Sequence, residues 1–257
     1  GKNMAELTPM MQQYFEIKNK NKDYILFYRL GDFYEMFFDD AKLVSRELEL
    51  TLTGRDCGQG ERAPMCGVPY HSAEGYIAKL VQKGYKIAIC EQMEDPKKAK
   101  GLVKREIIRR VTPGTVVEAA LLDENRNNFL GCVYAAGGSV GVCFADITTG
   151  SVYATGSDNW NDITSEFGRF APREVLVGGG AISADGLQSF LKERLEALIE
   201  PMPEECFEAQ RSAERIQEHF KVQDFDAAGL TDLPCTVQCL GGLLDYLEQT
   251  QLSLIHI

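Results

Sequence analysis

The chain has 257 residues, 44% of them hydrophobic and 25% charged, which suffices for two domains of ordinary size, each with its own core. No apolar run approaches the eighteen or so residues of a membrane span, and the amino terminus lacks a secretory hydrophobic region, so membrane and secreted proteins are set aside and a soluble cytoplasmic protein is expected. The net charge of −11 hides an asymmetry: residues 1–115 hold 19 Lys and Arg against 16 Asp and Glu, whereas residues 116–257 hold 8 against 22. The first part can approach phosphate; the second would be repelled by it.

In chain order, Leu7-Thr-Pro-Met-Met-Gln-Gln-Tyr-Phe-Glu-Ile-Lys18 predicts a helix with Thr8 as its cap and Pro9 at its first position. Tyr24-Ile-Leu-Phe-Tyr-Arg-Leu30 has the composition of a buried strand, and residues 39–48 have helical spacing. A strand is therefore expected to run through Gly31-Asp32 into a helix, with Phe33 and Glu35 at or just inside its first turn. An aromatic face beside a carboxylate suits a flat, hydrogen-bonding partner such as a nucleobase. The plainer alternative is that Phe33 is core, as aromatics in Phe-Tyr-x-x-Phe-Phe usually are.

Residues 51–62 read as a strand giving way to a Gly-rich polar loop, where Arg55 and Arg62 can meet backbone phosphate or simply be solvated. Pro64-Met-Cys-Gly-Val-Pro-Tyr-His71 reads as a rigid turn before a helix over residues 72–83, which Gly84 closes. His71 has no nucleophile or carboxylate motif beside it, so packing or phosphate contact fits it better than catalysis. Met65 and Tyr70 join it as candidates for contact with a nucleic-acid backbone. Tyr85-Lys-Ile-Ala-Ile-Cys90 is a strand. Residues 95–110 form a lysine- and arginine-rich stretch, and Lys100, Lys104 and Arg105 are the further candidates for backbone contact, which positions without specifying. A solvated hairpin is the alternative there.

Thr112-Pro-Gly-Thr115 is a turn, and the acidic, polar residues 116–128 read as a linker. Three strands of a meander are expected near residues 129–135, 140–147 and 150–155, then a helix over 161–170, a strand from Glu174, a helix over 187–198 and two more beyond Glu204. This is an α/β domain, residues 129–257, with a ribonuclease-H-like order of elements. Asp146 sits where such nucleases hold magnesium, but Asp158, Asp162 and Asp185 have no evident place on an adjacent strand, and metal-assisted cleavage needs several converging carboxylates. The eight cysteines, at 57, 66, 90, 132, 143, 206, 235 and 239, lie in apolar stretches without a Cys-x-x-Cys pair, so neither a metal site nor a disulfide framework is expected.

Gly31-Asp-Phe-Tyr-Glu-Met-Phe37, Pro64-Met65, Gly67-Val-Pro-Tyr-His71, Ile89-Cys-Glu-Gln92, Asp95-Pro96 and Val111-Thr-Pro-Gly-Thr115 occur in the order seen in the amino-terminal region of the bacterial MutS DNA mismatch-recognition family, which this chain resembles. The resemblance implies a mixed-sheet α/β mismatch-binding domain over residues 1–115, with Phe33 as the wedge and Glu35 as its hydrogen-bonding companion. It further implies a ribonuclease-H-like connector domain that lacks nuclease chemistry, to which Asp146-Ile-Thr-Thr-Gly150 conforms, and a helix from Cys239 to Gln251 leading toward the family's core. Mismatched double-stranded DNA, a MutL-type protein bound through the connector, and a homodimer of the full-length protein are the implied partners. The family's ATPase domain, with its ATP and magnesium, is expected to lie outside this chain, since no Gly-x-x-x-x-Gly-Lys-Ser/Thr loop occurs. No cofactor and no ATP hydrolysis are therefore expected of it. The competing class is an interaction module in which Phe33 is buried and the basic stretch binds an acidic protein; exposure of Phe33 discriminates between the two.

Overall fold

The computed structural model describes residues 6–58, 60, 62–116, 128–220 and 229–250. Most of the expected linker lies outside the described residues, as does the end of the last expected helix. Two compact units result, divided between Thr112 and Pro113.

In the first unit, α1 (Pro9–Asn19) begins as its sequence dictates, with the Thr8 hydroxyl accepting the Met11 N–H at 3.3 Å. The sheet has the order β3-β4-β2-β1-β5-β6, formed by β1 (Ile25–Leu30), β2 (Phe33–Phe37), β3 (Thr53–Asp56), β4 (Arg62–Pro69), β5 (Ile87–Gln92) and β6 (Arg105–Val111). Only β1 and β5 pair in parallel. Met11 and Tyr14 of α1 pack on one face against Leu26, Tyr28, Phe37, Ala88 and Cys90. On the opposite face α2 (Phe38–Leu48) and α3 (Ala73–Gln82) lie against β2 and β4, which turn the buried Met36, Cys66 and Val68 toward them.

Two expectations are corrected here. Phe33 and Glu35 are on a strand, not in the first turn of a helix. Leu30 pairs with Phe33, so Gly31 and Asp32 form a two-residue hairpin loop, and the helix begins only at Phe38. Gly31 has φ +58°, a conformation that glycine adopts without steric penalty and that short hairpin loops exploit. The aromatic run that suggested a helix has period two: Tyr34 and Met36 are buried on one face, Phe37 on the other. Residues 64–69, expected as a turn, likewise form β4. The strand tolerates Pro69 at its last position and Pro64 opposite Gly54 of the edge strand β3.

The second unit has the expected meander, β7 (Phe129–Ala136), β8 (Ser139–Asp146) and β9 (Ser151–Ser157), extended in parallel from β7 by β10 (Glu174–Gly179) and β11 (Leu198–Pro201) in the order β11-β10-β7-β8-β9. One face carries α4 (Trp160–Phe170), with Ile163 and Phe167 packed on Val133, Phe144 and Val175. Leu187 and Leu191 join that layer from α5 (Leu187–Ser189) and the wider turn Phe190–Arg194 that continues it, a shorter element than expected. Against the other face lies α7 (Pro234–Thr250), with α6 (Ala209–Phe220) packed on it, and together they bury Ile216, Leu240 and Leu243 in one cluster with Cys132, Tyr134 and Leu176.

Candidate nucleic-acid interface

Along β2 the pleat sends Phe33, Glu35 and Phe37 to the face that α1 covers. The helix reaches only Phe37, which is fully buried, with its ring 5.1 Å from that of Tyr14. Phe33, at the hairpin end of the same face, is 44% exposed. Its cross-strand neighbours are Leu30 and Pro69, and those of Glu35 are Tyr28 and Gly67. A Cβ on Gly67 would collide with the Glu35 carboxylate, so the carboxylate rests on bare backbone. Glu35 is half-buried, and among the described residues no donor is hydrogen-bonded to its carboxylate. Burial raises its pKa above the usual carboxylate value, opposed in part by the positive charge of Arg55.

The hairpin is braced from the opposite face. Arg29 donates through Nε to the Gly31 carbonyl at 2.5 Å, pairs with Glu91 at 3.2 Å, and stacks its guanidinium 3.6 Å from the centre of the Tyr70 ring. The Tyr34 hydroxyl donates to Glu91, and burial followed by this bond raises Tyr34 above the ordinary phenol value. The Tyr70 N–H donates to the Asp32 carbonyl at 2.9 Å, which ties the start of the 3-10 turn Tyr70–Ser72 to the loop. Composition gave Arg29 and Glu91 no functional signal, although Glu91 lies within one of the motifs noted above.

The sheet thus brings Phe33, Glu35, Met65 and Arg55 onto one face, with Arg55 exposed on the edge strand and Met65 half-buried. Tyr70 and the exposed His71 stand at the hairpin, their rings 3.7 Å apart. Lys100 and Lys104 are exposed in the connection between β5 and β6, beyond β1 and β5 in the sheet order, and the Lys104 ammonium lies 3.0 Å from Glu106. Arg105 is a correction to the set of phosphate contacts. Its residue is 8% exposed; its guanidinium donates to the Arg29 carbonyl at 2.8 Å and to Gln13 at 2.6 Å and lies over the Tyr28 ring. Those partners are distant in sequence, so nothing in the basic run separates this arginine from its neighbours.

In the second unit three of the acidic residues weighed for nuclease chemistry, Asp146, Asp158 and Asp162, accept hydrogen bonds from nearby threonine and serine residues. Asp146 accepts the Thr148 N–H at 3.0 Å and hydroxyl at 2.6 Å, Asp158 accepts the Ser139 hydroxyl, and Asp162 accepts that of Ser157. Among the described residues no three carboxylates converge, whereas the sulfurs of Cys132, Cys143 and Cys239 do. No helix among the described residues is long and apolar enough to cross a membrane.

Residues 8–120 match the family model of MutS domain I, and residues 128–257 that of MutS domain II. The DNA mismatch repair protein MutS of Acetivibrio thermocellus is 51% identical over 260 residues, an alignment covering 99% of this chain and 29% of that protein. Its counterpart from Lachnoclostridium phytofermentans is 50% identical over 255 residues, covering 99% and 27%, and that of Ruminiclostridium cellulolyticum is 49% identical over 259 residues, covering 99% and 29%. The chain spans less than a third of the length of these relatives. With both α/β units matched in order and across almost every residue, the chain belongs to the MutS family, of which it carries domains I and II.

Proposed function

We propose that this chain recognises mismatched or unpaired bases in duplex DNA through the hairpin end of its first sheet and so serves the opening step of mismatch repair. The observation that carries the reading is the exposure of Phe33 beside Glu35 on one sheet face; the interaction-module alternative requires Phe33 to be core. The minor groove distinguishes base pairs poorly, so a protein seeking any mismatch does better to test mechanical weakness than to read edges. Insertion of an aromatic wedge costs a few kcal/mol of unstacking, less where pairing is already poor, and stacking on the ring returns about 1–3 kcal/mol. Glu35 then meets the displaced base. A half-buried carboxylate with a raised pKa can donate a proton to a ring nitrogen as well as accept from an amino group. When ionised, it also weakens binding to ordinary duplex, which favours discrimination.

Arg55, Met65, Tyr70, His71, Lys100 and Lys104 are the proposed contacts to the DNA backbone, and they position the reader without specifying sequence. The second unit, acidic in its balance, is the proposed surface for a MutL-type partner. Homodimerisation, and ATP hydrolysis with magnesium, belong in this reading to the rest of the full-length protein, acting on chromosomal DNA in the cytoplasm.

The test is fluorescence anisotropy on a full-length protein carrying this chain, with a G·T-mismatched duplex and its matched control at two salt concentrations. Phe33→Ala is expected to abolish the mismatch preference while the salt dependence stays; retention of the preference overturns the wedge. Glu35→Ala is expected to raise affinity for matched duplex more than for mismatched, and sharper discrimination in that variant would contradict the role given to the carboxylate.

A further inference from the structure

Cys132 on β7 and Cys143 on β8 are directly paired across the sheet, and Cys239 of α7 descends onto them. The Cys143 and Cys239 sulfurs are 3.5 Å apart, the Cys239 sulfur is 3.1 Å from the Cys132 carbonyl oxygen, and all three sulfurs lie within 4.8 Å of one another. All three residues are fully buried, among Leu130, Tyr134, Leu176, Phe207, Leu240 and Leu243. Thiolate sulfur binds a metal at about 2.3 Å, so three sulfurs gathered on one side of an ion that carries a lone pair stand roughly 3.4 Å apart; Cys143 and Cys239 are already near that spacing, and the third sulfur needs a shift of about an ångström to join them.

We propose that Cys132, Cys143 and Cys239 form a three-sulfur site for a thiophilic trivalent ion, with trivalent arsenic as the chemistry that fits. Two features exclude the commoner choices. Among the described residues no fourth His, Cys, Asp or Glu joins the three sulfurs, so none of them completes the closed tetrahedron of structural zinc. The surroundings are apolar, and uncompensated charge in such a core is very costly. Three thiolates leave a net charge of −1 around Zn²⁺ and −2 around Cu⁺, but are neutral around a trivalent centre. Soft sulfur donors also match the softness of arsenic.

Binding needs no oxidant. Uncharged arsenous acid, As(OH)₃, exchanges its three hydroxyls for three cysteine sulfurs; three As–O and three S–H bonds break, three As–S bonds form, and three waters leave with arsenic still trivalent. The bound ion ties α7 to the middle of the sheet.

The experiment titrates the reduced 257-residue chain with sodium arsenite and reads native mass, thermal midpoint and the arsenic K-edge fine structure. One arsenic per chain with three sulfur neighbours and a raised midpoint is expected. Cys132→Ala, Cys143→Ala and Cys239→Ala should each weaken binding at least tenfold, while Cys66→Ala and Cys90→Ala leave it unchanged. Should an alanine variant fail to fold, the spectrum of the unaltered chain still decides, because two or fewer sulfur neighbours overturn the site. So does protection from alkylation at cysteines other than these three. Retention of Zn²⁺ at one per chain through gel filtration would overturn the charge argument that selects the ion.

Discussion

Phe33 and Phe37 lie on the same strand, point to the same face and differ by two pleats, yet one is 44% exposed and the other 0%. The difference is the reach of α1. Where Met11 and Tyr14 cover the sheet, an aromatic ring is packing; where the helix no longer covers it, the same ring is free to meet a ligand. Residue type and strand position are therefore insufficient to assign a role, and the deciding quantity is how far the neighbouring layer extends.

That contrast can be broken at either ring, and the largest effect is expected at the covered one. Phe37→Ala should lower stability by about 3–5 kcal/mol, seen as a reduced urea midpoint, with mismatch preference of the folded fraction unchanged. Next comes Phe33→Ala, with stability within about 0.5 kcal/mol of the original and a loss of about 1–3 kcal/mol of stacking on mismatched DNA, measured by anisotropy in the full-length protein. If the two variants exchange these signatures, coverage by α1 is not what separates the rings.

A smaller effect sharpens the contrast at the carboxylate. Gly67→Ala places a methyl group where the Glu35 carboxylate rests and should reduce mismatch discrimination toward that of Glu35→Ala. Because the displaced group is the end of a flexible side chain, a stability change of under about 1 kcal/mol is expected; wild-type discrimination in Gly67→Ala would show that the seat is not required.

The smallest effect is on pH dependence. The folded-state pKa of Glu35 is raised above its unfolded value, so the folded chain holds this proton more tightly. Its contribution is fully present below the unfolded carboxylate pKa and is lost as pH rises through the folded one. Glu35→Gln should therefore slightly raise the thermal midpoint at pH 7 and flatten its dependence above about pH 4. An unchanged slope would mean that burial of the carboxylate has little energetic effect.

Much of the scaffold was legible from local chemistry. Thr8 and Pro9 mark the start of α1, and the strand, turn and strand pattern after Phe129 marks the meander, because caps and short turns are encoded by adjacent residues. The pairing of Phe33 with Glu35 as a candidate site was also legible, but its local structure was not. Phe-Tyr-Glu-Met-Phe-Phe is too short and too apolar to separate period two from a helical turn, and only the Leu30–Phe33 pairing decides it. Arg105 reads as surface because its partners, Gln13 and Tyr28, are more than seventy residues away. The same holds for the cysteine trio, whose members come from two strands and a helix 107 residues apart at the extremes.

The two-residue loop at Gly31 and Asp32 also fixes an odd-even rule for everything that follows it on β2. Phe33 and Glu35 share a face because both are odd steps from the turn, and Tyr34 takes the other face because it is even. Adding one residue to the loop without a compensating bulge would invert that parity, presenting Tyr34 and Met36 to the uncovered side and turning the phenylalanine and the glutamate inward. In this hairpin the length of the connection is as much a part of the proposed reading surface as the side chains themselves.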